Sequence, residues 1–260
     1  MDGYSATAAT TVVVGDAPVT GRKADALLAA WNAFQAAQRK IAEAATNNSV
    51  TEVIQQVAEQ FECNAVEGVL SHKIKRHLID GNDVVINRAT PTQQVEEWQF
   101  APGDVIGLDV FVSSGEGKPR EDEARCTVFK RELDQVYNLK MKSARAFFVE
   151  VNKRFPTLPF STRALSDQTA AKVGVRECLN HDLLVPYPVL SERPGEFVAQ
   201  FKATVVVQPR STVVIAGAAP LDTAKVQSDK SVTDAGLTAL LAQDLWKKEK
   251  KAAGAATTTQ

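Results

Sequence analysis

The chain has 260 residues, 44% hydrophobic and 23% charged, and its 30 Lys and Arg residues nearly balance 31 Asp and Glu residues, for a formal net charge of -1. This composition is that of a globular protein of one or two domains, and it excludes fibrous proteins and proteins that coat nucleic acid through a global positive charge. No apolar run reaches the roughly 18 residues of a membrane-spanning helix, and the residues after Met1 lack the features of a signal peptide, so we expect the chain in the cytosol or nucleus.

The first part of the chain predicts one strand followed by two helices. β-Branched residues over 4–14 predict a strand that ends in a turn, and this strand needs a neighbour elsewhere in the fold. Apolar residues at helical spacing predict a long helix over 23–45. A capping box of Ser49 and Glu52 predicts a second helix, with the inward-facing residues Val53, Ile54, Val57 and Phe61.

The rest of the chain predicts a hairpin, two helices, two more strands and a last helix. The hairpin strands are expected at 105–112 and 126–129. Helices are expected at 143–155 and 170–179, two further strands at 196–208 and 211–216, and a last helix at about 233–251. Residues 247–260 are basic and then of low complexity, which predicts a disordered tail. Strand-rich ends around a helical block indicate the α+β class.

Signatures of common catalytic and metal sites are absent from the sequence. It contains no GxGxxG, Walker, HExxH or GxSxG motif. His72 and His77 are five residues apart and are flanked by cations, which disfavours a shared metal ion. The cysteines, Cys63, Cys126 and Cys178, are too widely spaced for a zinc knuckle or a disulfide framework, so we expect all three to be reduced and buried.

Two basic segments are candidates for phosphate contacts. Lys73, Lys75 and Arg76 form the first, and residues 130–154, with seven basic and three acidic residues for a net charge of +4, form the second. The second segment is interleaved with aromatic residues, namely Tyr137, Phe147 and Phe148. The alternative interpretation is a solvated charged helix face with its aromatic residues in the core.

The end of the chain carries a leucine motif and a basic tail. Leu237, Leu240 and Leu241 form an LxxLL string, which predicts either a docking helix for a partner or a stripe buried against its own domain. The lysines that follow, at positions 247, 248, 250 and 251, are a weak signal for RNA binding or nucleolar targeting.

Several long motifs occur together in a recognisable order. They are GRKAD at 21–25, EGVLSHKIKRHLIDG at 67–81, VSSGEGK at 112–118, YNLKMKSARAFFVEVNKRF at 137–155 and GEFVAQFKATVVV at 195–207. Together they resemble the proliferation-associated, ErbB-receptor-binding protein family, the non-catalytic branch of the methionine-aminopeptidase-like pita-bread fold. The resemblance implies an α+β pita-bread domain over 1–246 that lacks its N-terminal part and contains a type II helical insert over 139–192.

The resemblance also implies a degenerate metal site. Active aminopeptidases of this fold bind two divalent ions through two Asp, one His and two Glu, and the positions that correspond here carry Thr7, Val69, Asp109 and Lys202, while the first Asp has no counterpart. His77 matches a substrate-side histidine. A lysine about 4 Å from a divalent ion is repelled by about 8 kcal/mol at an effective dielectric near 20. We therefore expect no metal, no cofactor and no catalysis, and an ion pair between Lys202 and Asp109 in place of the metal.

The family further implies a function in ribosome biogenesis, translation and growth regulation. We expect a monomeric adaptor in the cytoplasm and the nucleus or nucleolus that binds ribosomal RNA and the large ribosomal subunit. The expected phosphate-contacting residues are Lys73, Lys75, Arg76, Lys140, Lys142, Arg145, Lys153, Arg154, Lys247, Lys248, Lys250 and Lys251. The alternative is a protein-interaction or transcriptional corepressor module that uses the LxxLL helix.

Overall fold

A computed structural model describes residues 2–217 and 219–245 and combines helices with short and long strands. The α-helices in this part of the chain are α1 (Gly21–Lys40), α2 (Asn47–Gln60), α3 (Lys142–Arg154), α4 (Gln168–Asn180) and α5 (Ala235–Leu241). The strands are β1 (Val19–Thr20), β2 (Asn64–Ala65), β3 (Leu70–Ile74), β4 (Val84–Ile86), β5 (Val105–Ser113), β6 (Arg120–Glu121), β7 (Val128–Arg131), β8 (Phe160–Ser161), β9 (Leu184–Tyr187), β10 (Leu190–Ser191), β11 (Val198–Gln208), β12 (Ser211–Ala216) and β13 (Val226–Gln227). The predicted α+β class is confirmed, and none of the described helices is both long and apolar enough to cross a bilayer.

The central sheet is antiparallel and has the order β12-β11-β5-β3-β4, and β2 pairs with β5 on the same edge as β3, at the C-terminal end of β5. β5 and β11 pair along most of their length, from Val198 opposite Ser113 to Val206 opposite Val105. Because side chains alternate across a strand, each of these strands directs one set of residues to the helices and the other set to the opposite face. That opposite face is called the open face below.

The main core lies between the sheet and α1 and α2. The helix-facing residues of β5, from Ile106 to Val112 at every second position, have no exposed surface. α1 buries a series of alanines, whose small side chains let its backbone approach both the sheet and α2. Phe201 of β11 fills the remaining space, with its ring centroid 5.1 Å from that of Trp31 and 6.0 Å from that of Phe34.

A second core holds the helical insert together. α3 and α4 pack on each other, α4 contacts β9, and both helices share one buried apolar cluster with the three-stranded sheet β8-β7-β9. Gly174 of α4 permits this close approach, since a Cβ at this position would lie 2.3 Å from Cγ of Phe147. The second core also contains Phe129 of β7, so its packing includes residues that precede position 139 in the sequence.

Some sequence-based expectations for the first part of the chain are wrong in detail. Residues 4–14 are extended but form only an isolated bridge, from Ala9 to Lys202, because threonine hydroxyls occupy neighbouring hydrogen-bonding positions of the ladder. α1 ends at Lys40, before the predicted position 45. α2 begins at Asn47, and its cap is Thr46, whose hydroxyl accepts the N–H of Ser49; Ser49 is therefore not the cap.

Longer-range expectations also need correction. β5 does not form a hairpin with β7, because its edges are taken by β11, β3 and β2, and β7 belongs to the second sheet. The last helix ends at Leu241 and not near 251, and residues 246–260 lie outside the described part. All three cysteines are free thiols, but Cys126 is partly exposed while Cys63 and Cys178 are buried.

Candidate functional site

The open face of β5 and β11 carries a polar cluster at the centre of the sheet. Lys202 and Asp109 are register partners, and Nζ of Lys202 lies 2.6 Å from Oδ2 of Asp109. The other carboxylate oxygen, Oδ1, accepts a hydrogen bond of 2.8 Å from Nε2 of Gln200. Asp109 is only 8% exposed, so its negative charge is balanced within the protein. The expected ion pair between Lys202 and Asp109 is therefore present.

The backbone of Asp109 is fixed by the adjacent strand. Its N–H donates to Oγ of Ser71 at 2.8 Å, and the Ser71 hydroxyl donates to the Asp109 carbonyl oxygen at 3.3 Å. Ser71 lies in β3 and is buried. This exchange holds the carboxylate in place on the open face, and it explains why a small hydroxyl residue is accommodated in an apolar sheet.

The extended segment 4–14 covers the free edge of β11 next to this cluster. Ala9 and Lys202 exchange both backbone hydrogen bonds, at 3.2 and 2.9 Å. The Thr7 N–H donates to Oγ1 of Thr204 at 2.7 Å, and that hydroxyl donates to the Thr7 carbonyl at 2.9 Å. The structure thus brings Thr7 beside β11, with its polar groups engaged by Thr204.

Val69 and His77 occupy different surroundings. Val69 lines an apolar cavity of about 170 Å³ together with Phe111 and Val198. His77 is exposed, adopts a left-handed backbone with φ of 62°, and donates its N–H to the Gly3 carbonyl at 2.7 Å. The Gly3 position also touches the imidazole, since a Cβ there would lie 2.6 Å from Cε1 of His77.

The residues of this cluster do not fit a divalent metal pair. Both oxygens of Asp109 are engaged, one by the Lys202 ammonium and one by the Gln200 amide. Val69 has no donor atom, and an ammonium near a divalent ion is strongly repelled, by about 8 kcal/mol at about 4 Å and an effective dielectric near 20. Elsewhere in residues 2–217 and 219–245, no group of three or more His, Cys, Asp and Glu side chains has the arrangement of a metal site.

The basic residues of the insert lie on its surface. All five expected phosphate-contacting residues of this segment are exposed: Lys140, Lys142, Arg145, Lys153 and Arg154. Arg154 is paired with Glu150 at 2.6 Å and lies over the ring of Phe155. The other four have no ion pair with a described residue.

The first basic segment and the tail are placed differently. Lys73 is half-buried, with Nζ 2.8 Å from Asp104 and 3.5 Å from Asp83. Although burial acts to lower the pKa of Lys73, the hydrogen bond and charge of Asp104, aided by Asp83, raise it overall. Lys75 and Arg76 are exposed, and Arg76 donates from Nε to the Asp2 carbonyl. The tail residues Lys247, Lys248, Lys250 and Lys251 lie outside the described residues.

The aromatic residues of the insert divide between core and surface. Phe147 is buried, as the alternative interpretation expected, and Phe148 is partly buried against the same core. Tyr137 is 37% exposed, and its ring stacks on that of His181, with centroids 3.6 Å apart and planes 15° from parallel. The stack was not predicted, because His181 follows Tyr137 by more than forty positions and no local pattern relates them.

The leucine motif packs against its own domain. Leu237 is 4% exposed, and Leu240 and Leu241 pack partly buried against the main core. Asp234 caps α5 by accepting the N–H of Leu237 at 2.8 Å. The structure therefore favours the buried stripe over a free docking helix for these three residues.

Solved structures of two kinds resemble this fold. No family model matches the sequence. A thermophilic Arx1 superposes with a TM-score of 0.85 at 28% identity, over 95% of this chain and 72% of that protein. The methionine aminopeptidase of Thermotoga maritima matches with a TM-score of 0.50 at 14% identity, over 82% of this chain and 58% of that protein. The fold is therefore the methionine-aminopeptidase-like pita-bread fold, as expected, with a lysine ion pair in the central polar cluster.

Sequence relatives define the family within that class. The chain is 44% identical over 213 residues to ERBB-3 binding protein 1 of Solanum tuberosum, covering 82% of this chain and 55% of the relative. It is 40% identical over 263 residues to proliferation-associated protein A of Dictyostelium discoideum, covering 100% and 67%. A curved DNA-binding protein of Schizosaccharomyces pombe is 36% identical over 244 residues, covering 93% and 64%. The chain belongs to the proliferation-associated protein family, and it spans about half the length of the plant relative.

Proposed function

We propose that this chain is a non-catalytic adaptor that binds ribosomal RNA on the large ribosomal subunit and acts in ribosome biogenesis, translation and growth regulation. The carrying observation is the exposed basic surface of the insert, where residues 137–154 hold five cations and one acid in a chain of net charge -1. Such a local concentration of charge attracts phosphates without making the whole protein basic. Family membership, and the DNA-binding name of one relative, support a nucleic-acid partner.

The start of α3 adds to the positive potential of this surface. α3 has no acidic side chain in its first turn, and no side chain caps its N-terminal N–H groups. Among the described residues, the positive end of this helix dipole therefore has neither a side-chain cap nor an acid in its first turn, and Lys142, the first residue of α3, adds a further positive charge there. An RNA phosphate near this turn would compensate both charges.

Salt dependence of binding tests the phosphate assignment. In sedimentation with purified large ribosomal subunits, the logarithm of the binding constant should fall with the logarithm of salt concentration by about 0.7–0.9 per phosphate contact. Lys140→Gln should reduce the slope by about that amount, while the matched control Arg210→Gln, in the exposed turn between β11 and β12, should leave it unchanged. A salt-independent affinity, or equal effects of the two substitutions, would refute the assignment.

We further propose that the chain has no aminopeptidase activity, as the ion pair of Lys202 with Asp109 supports. Lys202→Glu reintroduces one carboxylate. Val69 and Thr7 still occupy two positions at which active aminopeptidases have metal ligands, so the ligand set stays incomplete. Neither the wild type nor this variant should release methionine from a methionyl peptide with added Co²⁺ or Mn²⁺. Metal-dependent release by either protein would overturn this part of the proposal.

The cellular location and assembly state are part of the same proposal. Ribosomal RNA is available in the nucleolus during subunit assembly and in the cytoplasm on mature subunits, so we propose both compartments for this chain. A monomer is the simplest state for a protein that presents one basic insert to one subunit.

A further inference from the structure

We propose that a cleft beside the basic surface of the insert receives one unpaired RNA base, which stacks on Tyr137. This inference rests on the proposed RNA binding and adds the form of RNA that is recognised. The cleft has a volume of about 310 Å³ and is lined by Tyr137, Asn138, Leu139, Arg145, Phe148 and Val149. An aromatic face, an amide and a guanidinium in one concave site are the groups that bind single-stranded nucleic acid.

The walls of the cleft are held in place before any ligand binds. Tyr137 stacks on His181, which immediately follows α4. Phe148 packs against the second core, and the guanidinium of Arg131 lies 5.8 Å from its ring centroid. Aromatic walls that are fixed in this way lose little conformational entropy when a base inserts.

The lining also offers hydrogen bonds to the edge of a base. Asn138 is exposed, and its side chain has no hydrogen bond to any residue in the described part of the chain. Its amide therefore retains both donor and acceptor groups for a ligand. The Watson–Crick edge of a base is free for such contacts only where the RNA is unpaired, because within a helix this edge is engaged by the partner base.

The surroundings of the cleft match a nucleotide in charge and polarity. Lys140, Lys142 and Arg145 provide positive charge for the flanking phosphates, and the carboxylate of Glu177 lies 3.6 Å from Nε2 of His181, the stacking partner of Tyr137. Exposed apolar side chains adjoin these cations, including Val136 at 91% and Val149 at 64% exposure. A base or ribose that enters the cleft would bury part of this apolar surface.

A pair of RNA hairpins tests the inference with the full chain. Both carry the same stem, and one has a single bulged 2-aminopurine. Wild-type protein should bind the bulged hairpin about 5- to 150-fold more tightly and quench the fluorescence of its 2-aminopurine, because stacking contributes about 1–3 kcal/mol per base. Tyr137→Ala should lose both effects and keep the salt dependence, since no phosphate contact is removed.

Tyr137→Phe is the matched control, because it keeps the aromatic ring and the stack on His181. It should retain the preference for the bulged hairpin and the quenching. Thermal melting of both variants checks that the insert remains folded. If Tyr137→Ala shows no melting transition, Tyr137→Leu takes its place in the same assay.

The outcomes separate this inference from the function on which it rests. If neither hairpin binds in a salt-dependent manner, the proposed RNA binding fails. If both hairpins bind in a salt-dependent manner with equal affinity, the base-stacking inference alone is overturned. The same result is expected if the cleft binds a side chain of a partner protein and not a base. Loss of the preference in Tyr137→Phe as well would also overturn stacking as its source.

Discussion

Removing the ammonium of Lys202 should destabilise the protein through the charge that remains on Asp109. Lys202→Met keeps most of the aliphatic stem, so packing is largely preserved. The Coulomb attraction of two charges 2.6 Å apart is about 6 kcal/mol at an effective dielectric of 20, and desolvation offsets most of it. Loss of one partner from a fully buried pair costs about 3–5 kcal/mol. Because the Lys202 side chain is 29% exposed, we expect about 2–3 kcal/mol here.

A double-mutant cycle separates the pair from other effects. Asp109→Asn removes the negative charge and keeps an oxygen that accepts from Gln200. The double variant Lys202→Met/Asp109→Asn has no uncompensated charge, so its stability should lie within about 1 kcal/mol of the wild type. The coupling free energy between the two sites should then be about 1–3 kcal/mol.

Urea unfolding followed by tryptophan fluorescence measures these differences. For Lys202→Met the unfolding midpoint should fall with an unchanged m-value, and the melting temperature should decrease by about 5–10 °C. If Lys202→Met changes the free energy of unfolding by less than about 0.5 kcal/mol, or if the two substitutions are additive, the pair does not stabilise the cluster.

Three further substitutions or treatments test the packing. Gly174→Ala should lower the free energy of unfolding by about 1–2 kcal/mol, because the clash with Phe147 outweighs the gain in helix propensity, and unchanged stability would show that α3 and α4 are more loosely packed. Burial raises the pKa of the Cys178 thiol from 9.0 to about 12, so its contribution to stability is complete below pH 9 and is lost as pH rises toward 12. At pH 8, mass spectrometry should find Cys126 alkylated by iodoacetamide before Cys178; the reverse order would contradict the burial. Leu237→Ala should cost about 2–5 kcal/mol in urea unfolding, and a value near zero would support a free docking helix.

Local pattern was sufficient to predict the helices. The apolar spacing of α1 to α4 reports which face of each helix is buried, and this depends on neighbours three and four positions away. The ends were less accurate: Thr46 caps α2 in place of Ser49, because either hydroxyl has the chemistry of a cap and the surrounding fold decides which is used.

Strand pairing could not be predicted in the same way. β5 pairs with β11 about ninety positions later, and nothing within β5 distinguishes that partner from the nearby β7. The extended segment 4–14 has the composition of a strand. Its backbone pairing with β11 is interrupted because the Thr204 hydroxyl bonds the N–H and the carbonyl of Thr7, and this contact depends on the tertiary fold. The positions of Asp109 and Lys202 were related through resemblance to a family, whereas Ser71 and Gln200, which complete the cluster, are identified only when the register is known.

The separation into two hydrophobic clusters affects how the molecule loses structure. The residues of the second core pack around α3 and α4, and the main core is assembled from the central sheet with α1 and α2. We therefore expect the two units to exchange their amide hydrogens by separate opening reactions, with separate free energies. An RNA that binds the insert would then slow hydrogen exchange in α3 and α4 alone, leaving the protection of β5 and β11 as it was.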